Sequence, residues 1–252
     1  VSAILVVKVG WSFWVSLPAA GLFAGLVAFL IGLPILRLRG VYFAMITLVL
    51  TQVVTLTALA LPITNGAKGI SNIPLPSGIS FLGFPIIPDF GAMENTKIAF
   101  YYTACILMIL TYGTLYRLVN SRLGHLCRSM QQNEDLASSI GVNIAYIRIV
   151  IFMISSFFGG IGGAMFGSIA QSVYPSTFQV VDSVNFMLNC FLGGLGYVFG
   201  PMLGTLVLYF GWDLLFEFGK YQMLIYSLIL IAVIRFLPNG LLSVRFGKRG
   251  SK

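Results

Sequence analysis

Residues 149–181 read IVIFMISSFFGGIGGAMFGSIAQSVYPSTFQVV, and no charged side chain interrupts them. A bilayer's hydrocarbon core is about 30 Å thick and takes roughly 20 residues of helix to cross. A stretch this long and this apolar therefore reads as a membrane-spanning helix. Working outward, further uncharged runs extend from Val9 to Leu36, Gly40 to Ala67, Ile98 to Tyr116 and Ser183 to Trp212. A shorter one, Tyr221 to Ile234, gains length from flanking apolar residues, with Arg235 placed to snorkel to the interface. Hydrophobic types supply 58% of the 252 residues and charged types 9%, a mix that excludes water as the main solvent. Strands of a β-barrel would alternate apolar and polar residues over about ten positions, and these runs do not. The expected fold is an all-α integral membrane protein: a polytopic transmembrane helix bundle of about seven complete spans. The apolar start at Val1 predicts a truncated N-terminal helix ahead of them.

Basic residues in short loops favour the cytoplasmic side. Clusters at Arg37 and Arg39, at Arg117, Arg122, Arg128 and Arg148, and at Arg235, Arg245, Lys248, Arg249 and Lys252 hold eleven of the fifteen basic residues. Placing all of them inside orients helices over Pro18–Leu38, Val41–Leu61, Lys97–Leu118, Tyr146–Ala170 and Tyr221–Leu237. The C-terminus is then cytoplasmic. Parity requires the segment 182–218 to cross twice, turning at Gly193-Gly-Leu-Gly-Tyr-Val-Phe-Gly200-Pro201, or else to form a broken re-entrant pair. The loop 62–95 falls outside and the loop 120–145 inside, within a single transmembrane domain covering 1–252. The net charge of +8 follows these loop ends, so it reads as topology and not as a nucleic-acid surface.

Small residues four apart let membrane helices approach closely. Gly159, Gly163 and Gly167 follow Ser155 in one such ladder, with Ser156, Gly160, Ala164 and Ser168 as a parallel row; Gly196, Gly200 and Gly204 form another. Polar stripes cross the same apolar runs. Thr47, Thr51 and Thr55 repeat every four residues beside Gln52, as do Asn185 and Asn189 later. Polar side chains in hydrocarbon tend to face partners or a cavity, so both stripes are candidates to line a solute path. Threonine also satisfies itself on its own helix, and both uses fit the spacing.

Cys105, Cys127 and Cys190 are far apart and read as small apolar fillers, without metal or disulfide spacing. The lone His125 sits in a basic loop, and neither a nucleophile elbow nor a GxxxxGK phosphate loop occurs. No cofactor is expected on this chain, and no catalytic residue. If the protein pumps, its energy comes from another chain.

The inside loop supplies the remaining signal. Leu123, Leu126, Cys127 and Met130 share one helical face. Asn133 can then cap a short helix, Glu134 and Asp135 suit its positive end, and Gly141 can close it. A protruding capped helix reads as a docking element, with an ordinary solvated connection as the alternative.

These segments resemble the permeases of branched-chain amino acid ABC transporters. The resemblance is carried by Ser121-Arg-Leu-Gly-His125, by Asn133-Glu134 through Ile140-Gly-Val-Asn143, and by Gly193-Gly-Leu-Gly196 with Gly200-Pro-Met-Leu-Gly204. Gly32–Gly40, Thr64–Pro74 and Leu237-Pro-Asn-Gly-Leu241 also look like that family. It implies that Asn133, Glu134, Asp135, Ala137, Gly141 and Asn143 form the loop that seats in an ATPase subunit. Asp135 stands where the family usually has Glu, Leu136 where it has Ala, and His125 where it commonly has Arg. It further implies two permease subunits, two cytoplasmic ATPases carrying ATP and Mg, and a periplasmic or extracellular substrate-binding protein. The setting would be the cytoplasmic membrane of a bacterium or archaeon, with alternating access as the mechanism and Leu, Ile and Val as solutes. Urea or short amides, carried by similar permeases, are the alternative solutes; an ATP-independent secondary transporter or channel is the alternative class.

Overall fold

The computed structural model describes residues 1–36, 41–81, 84–87, 90, 96–194 and 196–214. The expected span Tyr221–Leu237, the Leu237–Leu241 motif, the basic tail and the Arg37–Arg39 cluster lie outside the described residues. The chain divides into two compact units, Val1–Gln179 and a second beginning at Val180.

In the first unit, α1 (Ser2–Lys8) is followed at once by α2 (Phe13–Ile35), α3 (Val41–Ala60), α4 (Thr96–Val119), α5 (Arg122–Gln132), α6 (Glu134–Ser139) and α7 (Ile144–Ala170). The uncharged runs thus become helices, with α2 starting already at Phe13 and α7 at Ile144. By length and composition α2, α4 and α7 can each cross a bilayer, and α3 adds a fourth candidate with its continuation Pro62–Lys68, bent by 78°. Large apolar side chains are exposed along the spans, among them Leu30 and Leu33 on α2 and Ile106, Ile109 and Leu110 on α4. Water would penalise that arrangement and lipid accommodates it. The protein is a multi-pass helical membrane protein.

Small residues build the contact between α2 and α7. Ala20, Gly21, Gly25, Ala28 and Gly32 are the buried stripe of α2. A side chain at Gly21 would meet the Phe157 ring at 2.9 Å, one at Gly25 the Met153 carbonyl at 3.5 Å, and one at Gly32 Phe152 at 3.2 Å. The partner positions descend as those on α2 ascend, so the helices run antiparallel. Gly160 of α7 sits deepest, where a Cβ would lie 2.8 Å from the Ala20 carbonyl and 3.0 Å from Gly21 Cα.

Two short antiparallel strand pairs depart from an all-helical reading. β1 (Ile70–Ser71) pairs with β4 (Ser172–Val173), and β2 (Ile79–Phe81) with β3 (Phe84–Ile87). The first pair straps the loop after α3 onto the end of α7, and Ile73 N donates to the Gln171 carbonyl at 3.1 Å. Gly69 makes the approach possible: its φ is +63° and a Cβ would run into the Val173 carbonyl. Val6, Ile70 and Ile73 close over this strap, while Phe13, Leu17, Phe90 and Phe100 form a second apolar cluster at the same end.

The second unit begins with α8 (Val180–Gly193) and α9 (Gly200–Leu214). At 1.5 Å per residue each described helix is about 20 Å long, shorter than a hydrocarbon core. They form a tight antiparallel hairpin. A Cβ on Gly193 would run into the Gly200 carbonyl, and one on Gly204 into the Asn189 carbonyl.

Candidate coupling site

The loop opposite the strand strap is built from its corners inward. α4 passes into α5 through a turn in which Ser121 N donates to the Leu118 carbonyl at 3.1 Å. A Cβ on Gly124 would run into the Val119 carbonyl, so the corner requires a residue without one. On α5, Met130 is buried while Arg122, His125 and Arg128 are exposed, as an amphipathic surface helix demands.

A six-residue helix is too short to persist by its own backbone hydrogen bonds. α6 is held by its ends and by one side chain. Asn133 caps it: Oδ1 accepts from Asp135 N at 3.0 Å and Leu136 N at 3.1 Å. Glu134 and Asp135 occupy the first turn, at the positive end of the helix. Ala137 is 2% exposed and packs with Met130 and Ile147, with Leu126, Cys127 and Val142 around them. Gly141 ends the element at φ +86°, a conformation that residues with a side chain rarely adopt. Asn143 then caps α7, accepting from Tyr146 N at 3.1 Å. Burial against this cluster pushes the Cys127 thiol above its ordinary range, more than its backbone hydrogen bond lowers it.

The outward face of α6 is apolar at its centre. Leu136 and Ile140, four residues apart, are 64% and 71% exposed, with Asp135, Ser138 and Ser139 exposed beside them. Both serine hydroxyls are spent on the Asp135 carbonyl, at 2.7 and 2.9 Å. The arrangement offers an apolar tip with a carboxylate at its edge, suited to a groove on a partner. On the inner side Arg148 pairs with Glu134 and donates from Nη1 to the Leu36 carbonyl of α2 at 3.3 Å. Asn133, Glu134, Ala137 and Asn143 are thus brought together as one supported loop, with Asp135 and Gly141 on its rim.

The other candidate residues are placed as follows. Thr47, Thr51 and Thr55 form the half-buried face of α3, with Gln52 exposed. Thr51 and Thr55 each donate at 3.0 Å to the carbonyl four residues back, and Thr55 also faces the Phe178 carbonyl at 3.4 Å. On α8, Asn185 is exposed and Asn189 half-buried. Gly159 and Gly163 have no heavy atom within reach of an added Cβ among the described residues, whereas Gly167 approaches Val173 at 2.8 Å. In the glycine turn, a Cβ at Gly200 would meet the Gly194 carbonyl, while one at Gly196 would meet no described atom within 4 Å. Among the cavities of the first unit are two lined by described residues. One of about 740 Å³ lies between α2, α4 and α7, lined by apolar residues including Leu26, Phe29, Leu118, Ile154 and Phe158. The other, about 240 Å³, lies under α1 among Ala20, Ala24, Gly160 and Ser168. The Ser168 hydroxyl is buried there without a hydrogen-bond partner among the described residues. Neither lining includes the threonine stripe.

A family model described as "Branched-chain amino acid transport system / permease component" matches residues 1–234. The chain belongs to this permease family. It is 31% identical over 246 residues to the Escherichia coli high-affinity branched-chain amino acid transport system permease protein LivM, covering 92% of this chain and 58% of that relative. It is 24% identical over 181 residues to the Salmonella typhimurium permease protein LivH, covering 69% and 57%. With the Pseudomonas aeruginosa permease protein BraD the identity is 25% over 162 residues, covering 61% and 52%. The chain therefore spans a little under three fifths of the LivM length it matches. No solved structure matches it.

Within the permease, sequence reading missed three features. Leu136 stood out only as a departure from a family pattern, yet with Ile140 it forms the exposed tip; their i,i+4 spacing beside polar neighbours was the available signal. Arg148 looked like a topology marker, and its reach back to Leu36 across 112 positions has no local signature. The small-residue stripe of α2 carries the same four-residue spacing as the ladder on α7, but it is masked by an apolar run that is uniform all round.

Proposed function

We propose that this chain is the transmembrane permease domain of an ATP-driven importer that moves leucine, isoleucine and valine across a bacterial or archaeal cytoplasmic membrane by alternating access. The single observation that carries the reading is α6, a capped helix anchored inward by Ala137 and presenting Leu136 and Ile140 outward beside Asp135. Such a tip suits a groove in a cytoplasmic ATPase, which would carry ATP and Mg. The named relatives, each a permease protein of a branched-chain amino acid transport system, support the solute class. The basic residues of α5 and Arg148 support a cytoplasmic loop, with the strand-strapped end facing the external binding protein.

In the full topology seven spans follow α1. α8 and α9 cross as a short pair, the last span lies near Tyr221–Leu237, and the C-terminus is inside. A second permease subunit completes the path. Thr47, Thr51, Thr55, Gln52, Asn185 and Asn189 are the polar groups offered to the solute, while Gly159, Gly163, Gly167, Gly196, Gly200 and Gly204 serve close helix approach or the path itself. ATP binding moves the loop at Asp135, Ala137 and Gly141, and the α2–α7 pair rocks with it.

The test is uptake of labelled leucine by vesicles holding the complete transporter. Uptake that requires ATP and the ATPase subunit, and that vanadate stops, is the expected result. Uptake persisting with the ATPase absent would mean a secondary transporter or channel, and a preference for urea or short amides would replace the solute.

A further inference from the structure

We infer that Arg148 is a positioning residue that converts movement of α6 into movement of α2, an inference that rests on the coupling reading above. Its guanidinium serves two elements at once. Nη2 donates to Glu134 on the first turn of α6, and Nη1 donates to the Leu36 carbonyl at 3.3 Å, at the C-terminal end of α2. The side chain stands on the first turns of α7, so one residue ties three helices at a single point.

Physical chemistry favours arginine there. A guanidinium presents a rigid fork of donors, whereas a lysine ammonium is a compact point charge that could serve one acceptor well. A cation also suits the exposed carbonyls at a helix C-terminus. The pair is partly sheltered, with side-chain exposures of 22% and 33%, so it is screened less than a surface pair.

Backbone at Asn133 and Gly141 and the packing of Ala137 also join α6 to its neighbours. Gly141 is a left-handed joint with open space around it, where displacement of α6 would be absorbed locally. With the tie in place, a pull on α6 acts on the end of α2. The close α2–α7 seam at Gly21, Gly32 and Gly160 then moves the two helices together.

The experiment uses the complete transporter in lipid vesicles with Arg148→Met, Arg148→Lys and Glu134→Gln, reading ATPase co-purification, ATP hydrolysis and leucine moved per ATP. Arg148→Met is expected to keep co-purification and hydrolysis while leucine per ATP falls by between about 5-fold and 150-fold, the range of ordinary coupling between sites. Arg148→Lys should recover part of that loss, and Glu134→Gln should lose less than Arg148→Met. Unchanged leucine per ATP in Arg148→Met overturns the inference. So does a loss of uptake in inserted protein that merely tracks lost ATPase binding. If Arg148→Met does not insert, the same ratio in Arg148→Lys decides: lowered supports the inference, wild-type overturns it. The coupling reading fails separately, if Leu136→Asp leaves ATPase co-purification intact.

Discussion

The seam between α2 and α7 and the α5–α6 loop solve opposite problems. In the seam, backbones approach because side chains are missing: Gly160 lies where a Cβ would stand 2.8 Å from the Ala20 carbonyl. In the loop, a six-residue helix persists because side chains are present, with Asn133 capping it, Arg148 pairing with Glu134 and Ala137 buried. Adding atoms should therefore break the first region, and removing them should break the second. A body that moves as a unit needs the former, and a small grip that stays shaped while being pulled needs the latter.

The largest effect is expected at the seam. Gly160→Leu cannot be relieved by a rotamer change because its nearest neighbours are the Ala20 carbonyl and the Ala24 Cβ, and overpacking of this kind costs about 1–3 kcal/mol or more. Gly159→Leu, one position away and facing no described neighbour, should change stability by less than about 0.5 kcal/mol. Thermal unfolding of the detergent-solubilised protein compares the two, and equal losses would dissolve the distinction between the two glycine rows.

Next comes the cap. Asn133→Ala removes the acceptor for two amides and should destabilise α6 by about 1 kcal/mol, while Asn133→Asp retains most of it. Hydrogen exchange at the Asp135 and Leu136 amides reads this directly; protection unchanged in Asn133→Ala would show that packing of Ala137 alone holds the helix.

Gly141→Ala follows, and the space around Gly141 makes it a test of backbone conformation only. At φ +86° an alanine should cost about 1 kcal/mol and lower uptake, and a bulky residue should cost no less. Wild-type uptake with Trp at either Gly141 or Asp135 would detach this rim from transport.

The smallest effect concerns Cys127. Its thiol is raised by burial, so less thiolate is present at neutral pH than for a free cysteine, and alkylation should be slow near pH 7 and accelerate as pH rises. A rate at pH 7 equal to that of an exposed cysteine would place the α5 face out of contact with Ala137 and Ile147.

How far sequence reading reached depends on whether a feature is local. Uncharged runs become α2, α3, α4 and α7 because burial in hydrocarbon is decided residue by residue. The caps at Asn133 and Asn143 depend on bonds two or three residues away, and Asn133, Glu134 and Gly141 already point to α6. The strap of Ile70–Ser71 on Ser172–Val173 joins segments about a hundred positions apart and has no periodicity at two residues per strand. Likewise two equivalent rows of small residues run along α7. Only the approach of α2 distinguishes Gly160, which it meets, from Gly159, which it does not.

The most direct measurement places a photo-crosslinking amino acid at position 136 or 140 in the complete transporter and irradiates it in membranes. An adduct with the ATPase subunit, varying in yield between nucleotide-free and ATP-bound states, is the predicted result. Adducts with no ATPase in any state, or labelling of the same positions by a reagent confined to the outside, would contradict a cytoplasmic grip.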